Sequence, residues 1–98
     1  MHCGRAVADI ESLISGIKAE TFASDQKQYA QAELANMCIN SDQAYRIVNA
    51  FTFESDRLEI AEVCYKHLVD KTAAEKLTSL FTFDATKKEF REYMKNNK

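Results

Sequence analysis

Proline and tryptophan are absent from the 98 residues, and the only glycines are Gly4 and Gly16. Glycine-rich phosphate-cradling loops are thereby excluded. So are turns that need glycine or proline anywhere beyond position 16, and short direct joints between helices are the expected connections. Cysteine is scarce and odd in number: Cys3, Cys38 and Cys64 cannot all pair within one chain, and no C-x-x-C pair exists. That count reads as reduced thiols in a cytoplasmic protein. No stretch approaches the roughly 18 apolar residues of a membrane span, and "MHCGRAVADIESL" has no apolar core of the secretory kind. A soluble chain is expected.

What is present is ordinary globular material, 46 % hydrophobic and 29 % charged. A chain of this length supports one core, so residues 1–98 are expected to form a single domain. The abrupt start at Met1 equally fits a domain excised from a larger protein. Charge is unevenly spread: residues 1–86 carry 8 Lys/Arg against 13 Asp/Glu, whereas residues 87–98 carry 5 against 2. Most of the surface would repel a nucleic-acid backbone, and no nucleic-acid partner is expected.

The chain repeats itself at about 30 residues. Aligning Phe22, Phe53 and Phe83 brings "FASDQKQYA", "FESDRLEIA" and "FDATKKEFR" together, with Tyr29, Ile60 and Phe90 at one large apolar position. Upstream, Ile47 matches Leu77 and Phe51 matches Phe81. Such a period marks stacked supersecondary units. Ala44, Ile47, Val48 and Phe51 share one helical face, as do Ala73, Leu77, Leu80 and Phe81. With Ile10, Leu13, Ile14 and Ile17 supplying a first helix, the expectation is an all-α fold of about six short helices. They are placed near 6–19, 24–38, 41–51, 55–69, 72–81 and 84–96, stacked as three helical hairpins.

Caps follow from the same alignment. Ser41 is expected to cap the third helix, Ser24, Ser55 and Asp84 the second helix of each unit, and Thr72 with Glu75 has capping-box spacing. Helix 55–69 has the widest apolar face and is expected to be central. In each "FTF", at 51–53 and 81–83, the first Phe is expected to close one helix's apolar face. The second is expected to pack over the first turn of the next helix.

"NAFTFESDRLEIAEVCY" followed by "LFTF" resembles a small all-α domain catalogued as domain of unknown function 4476, found in bacterial and eukaryotic proteins and often attached to other modules. The resemblance runs from about Ile10 to Tyr93 and is strongest at Phe51, Phe53, Asp56, Arg57, Leu58 and Ala61. Lys27 and Lys88 depart from it at the place of Leu58. It implies a compact helical fold and brings no reaction, ligand or catalytic residue.

Chemistry-bearing patterns are few. Cys64 and His67 share a helical face, but four converging zinc ligands are not in view. The "ESD" and "SD" runs lack the alternating oxygens and central glycine of a calcium loop, and no nucleophile elbow exists. No cofactor or metal is expected. Lys87, Arg91, Lys95 and Lys98 form a basic stripe on the last helix, suited to an acidic partner or, as a secondary reading, an anionic membrane. The function expected is therefore a non-catalytic protein-interaction or scaffolding module, with Asp56, Arg57, Lys87, Arg91 and Lys95 as partner-binding candidates. The alternative is a small ligand-binding or enzymatic domain with a site around Asp56, Arg57 and His67.

Overall fold

A computed structural model describes residues 9–98. Its elements are α1 (Glu11–Ala19), α2 (Ala23–Leu34), α3 (Ser41–Asn49), α4 (Glu54–Lys66), a 3-10 helix (Lys71–Leu80) and α5 (Asp84–Asn96). The fold is all-α. No strand occurs among the described residues, although a parallel bridge links two connections: the Ile39 N–H donates to the His67 carbonyl at 3.0 Å and the Val69 N–H to the Ile39 carbonyl at 2.8 Å.

The helices form two layers. One holds α1, α3 and the 3-10 helix, the other α2, α4 and α5, and α4 touches α2, α3, α5 and the 3-10 helix. The shortest extent of the molecule, 18 Å, is about two helix diameters. The apolar residues read from the sequence pattern meet between the layers: Leu13, Ile17, Ile47, Ile60, Leu77 and Phe90 are all buried, and Leu34 of α2 joins them. Phe51 and Phe90 are the largest fully buried side chains, and truncating either to alanine would cost about 3–5 kcal/mol.

Helices α2, α4 and α5 run parallel and nearly in register. Near their N-termini, Lys27 reaches Asp56 at 3.1 Å and Glu59 at 2.8 Å, and Glu54 Oε2 accepts the Phe83 N–H at 2.9 Å. At the other end the Tyr65 hydroxyl meets the Met94 carbonyl at 3.5 Å. Between α1 and α2 the layers close tightly over Gly16, where an added Cβ would overlap the Tyr29 ring and hydroxyl. Gly16 therefore serves a close approach rather than a turn.

Several local expectations are corrected. The second Phe of each "FTF" does not wedge helices together: Phe53 and Phe83 are 60 % and 61 % exposed, and Phe22 is 66 % exposed. All three stand at N-cap positions with extended backbone. A hydrophobic staple needs an apolar residue in the fourth helical position, and that position holds Gln26, Arg57 and Lys87. The first Phe of each pair, Phe51 or Phe81, is buried as expected.

Capping differs too. Ser24 and Ser55 lie inside their helices, Asp84 is the first residue of α5, and none of these three helices has a side-chain cap of its own. For α3 the cap is Asn40, in a reciprocal box with Gln43 at 2.8 and 2.9 Å. Ser41 instead gives its N–H and its hydroxyl to the two oxygens of Asp70, each at 2.8 Å. Thr72 and Glu75 make no box, because residues 71–80 wind as a 3-10 helix led by Asp70. Ala74, Leu77 and Leu80, spaced by three, then line up on one buried side, as the threefold winding requires.

Candidate functional site

Between the 3-10 helix and α5, at the C-terminal end of the parallel layer, lies an open cleft of about 500 Å³. The deeper residues are Tyr65, which is buried, and Met94, half-buried. Around them stand Lys71, Arg91, Lys95 and Lys98, with Glu75 the lone carboxylate. The Tyr65 ring is fixed by edge-on contacts with Phe90 and Tyr93, at centroid distances of 6.5 and 6.2 Å. Lys71 Nζ sits 5.6 Å from the Tyr65 ring centroid, within cation–π reach. Arg91 Nε donates to Glu75 at 2.7 Å, so part of the positive charge is answered locally. Lys95 and Lys98 make no ion pair among the described residues and are exposed.

The sequence-derived candidates divide between the two ends of the molecule. Arg91 and Lys95 reach the cleft, as does Lys98, whereas Lys87, one or more turns earlier on α5, does not line it. Arg57 is engaged within the chain: Nε donates to the Phe51 carbonyl at 2.7 Å and Nη1 to the Leu80 carbonyl at 2.8 Å. It thereby satisfies carbonyls left over where α3 and the 3-10 helix end. Asp56 is buried and paired with Lys27. His67 caps the opposite end of α4, ten residues beyond Arg57, or about 15 Å along the axis. Asp56, Arg57 and His67 therefore do not converge.

Electrostatics elsewhere serve the fold. Burial works to raise the Glu54 pKa, but the Phe83 and Thr82 N–H groups outweigh it and hold the carboxyl below its ordinary value. Burial pushes His67 down, against a backbone contact with Met37, and its Nδ1 has no hydrogen-bond partner among the described residues. Burial raises the Cys64 thiol to about 12, which makes it an inert, apolar core group. Cys38 is disulfide-bonded, which departs from the expectation of uniformly reduced thiols. Among the described residues no three His, Cys, Asp or Glu side chains gather as metal ligands would, and no helix is long and apolar enough to cross a membrane.

Tyr65 and Lys71 were not singled out from sequence. Their relation to Arg91 and Lys95 arises only when α4, the 3-10 helix and α5 pack together, which brings side chains 20 or more positions apart into one cleft that no local pattern announces.

Two layers of short helices, with a cleft between the 3-10 helix and α5, define a small all-α fold. The chain belongs to the family described as Domain of unknown function (DUF4476), which matches residues 6–94. No curated protein and no solved structure matches it significantly.

Proposed function

We propose that this chain is a single, non-catalytic interaction domain that holds an acidic segment of a partner protein, anchored by an apolar side chain, in the cleft between the 3-10 helix and α5. The observation that carries this reading is the pairing of an apolar base, Tyr65 and Met94, with two cations, Lys95 and Lys98, that make no ion pair among the described residues. An apolar pocket with a few convergent polar groups is the usual form of a binding site. Charge at its rim steers an oppositely charged partner. Arg91 and Lys95 remain partner-binding residues in this account, and Lys87 extends the same positive stripe. Asp56 and Arg57 contribute by holding the scaffold.

The test is selection from a random-peptide phage library on the folded protein. Enriched peptides should combine Asp or Glu with an aromatic or aliphatic anchor. They should bind the Lys95→Glu/Lys98→Glu variant about tenfold or more weakly at unchanged melting temperature. Reversal of Lys87, Arg91 and Lys95 together should act the same way. Enrichment indifferent to these changes would overturn the assignment, and capture by phosphatidylserine vesicles in place of peptides would favour the membrane reading.

A further inference from the structure

The end of the molecule remote from the cleft carries an unusual surface. Phe22, Phe53 and Phe83 are each about two-thirds exposed at the N-caps of three parallel helices. Neighbouring helices pack about 8–10 Å apart, so the three rings belong to one edge roughly 20 Å long. Isolated exposed aromatics are ordinary, but a row of three at one edge marks an interaction surface. Each ring is followed within three residues by a carboxylate: Asp25, Glu54 and Asp84. Asp25 and Asp84 are exposed and make no ion pair among the described residues.

This edge is apolar and acidic. The cleft, about 16 Å away along α5 from Asp84 to Lys95, is apolar and cationic. One chain thus carries both halves of a complementary pair, at opposite ends of the same helical layer. We infer that the occupant of the cleft is a second copy of this chain, whose Phe-bearing edge docks head to tail, an aromatic ring against Tyr65 and Met94 and its carboxylates against Lys95 and Lys98. The inference rests on the cleft reading above and names its partner. Because donor and acceptor surfaces are different and lie at opposite ends, the contact is heterologous and builds chains or rings rather than a two-fold pair.

Sedimentation velocity on the full chain tests this. Wild type should associate progressively with concentration, and association should weaken as sodium chloride is raised, because the pairing is screened. Phe53→Ser/Phe83→Ser removes the donor edge and Lys95→Glu/Lys98→Glu the acceptor, and each should weaken association by about tenfold or more. Mixed together, the two variants should form heterodimers and nothing larger, since each retains one working surface. A wild type that stays monomeric at millimolar concentration overturns the inference. So does association that survives Lys95→Glu/Lys98→Glu and strengthens with salt, the mark of Phe edges packing on each other. A labelled peptide of residues 51–56, FTFESD, separates the failures. If the chain is monomeric yet phage-selected peptides still bind at the cleft, only self-docking falls. If neither those peptides nor FTFESD responds to Lys95→Glu/Lys98→Glu, the cleft reading falls with it.

Discussion

Glu54 opens α4 and caps its neighbour: its carboxylate accepts the N–H of Phe83 at 2.9 Å, and that of Thr82 at 3.0 Å, just ahead of α5. A helix that lacks a cap from its own sequence is capped by the helix beside it. The arrangement holds the two N-termini level, and with them the edge that carries Phe53 and Phe83.

Glu54→Gln should lower stability by about 1 kcal/mol, the scale of a lost cap. The acid dependence should change with it. Since the carboxyl is held below its ordinary pKa in the folded state, its contribution is present above the unfolded-state value and fades as pH falls through the folded one. Urea melts across the acid range should show a shallower pH slope for the variant. An unchanged slope would mean that the Thr82 and Phe83 contacts carry no weight.

Arg57→Lys should be destabilising despite the retained charge, because an ammonium cannot reproduce the planar fork that meets both Phe51 and Leu80. A loss of about 1–3 kcal/mol is expected for stranded backbone carbonyls. Cleft binding measured below the melting transition should be unaltered. Weakened peptide binding at full foldedness would restore Arg57 to the partner surface.

Gly16→Ala places a methyl group where the Tyr29 ring now lies. Thermal denaturation should register about 1–3 kcal/mol of overpacking. Replacing Tyr29 by leucine in the same chain should recover part of that loss, a coupling that a backbone effect of the alanine alone would not produce.

Cys64 should resist iodoacetamide in the native protein, being fully buried with its pKa pushed up to about 12, and react once the chain is unfolded. Cys38 should require reductant as well. Peptide mass spectrometry after alkylation distinguishes the two, and labelling of Cys38 without reductant would return the chain to the reduced-thiol expectation.

Helix positions were legible because Ile10, Leu13, Ile14 and Ile17, or Ala44, Ile47 and Val48, fall on faces that only a helical period explains. The fate of Phe53 and Phe83 was not. Aromatic residues beside a helix start suit either a staple or an exposed edge, and the polar residue four places on decides between them. The caps failed for a related reason: Ser41 satisfies Asp70, and α5 borrows Glu54, both partners 28 or more residues distant. Of the candidate site, Arg91 and Lys95 could be read from their spacing. Tyr65 and Lys71 could not, since their neighbourhood is made by packing. Residues 71–80 carry apolar spacings compatible with either winding, and their neighbours select the tighter one.

That tighter winding has a mechanical corollary. Ten residues at the 3-10 rise span about 20 Å, the same as the thirteen residues of α4 or of α5 in α-helical form. The segment thus covers the length of these neighbours with three fewer residues. Three extra residues could be taken up by relaxing to the looser coil with both ends left in place, while a deletion of the same size would pull Phe81 out of its seat.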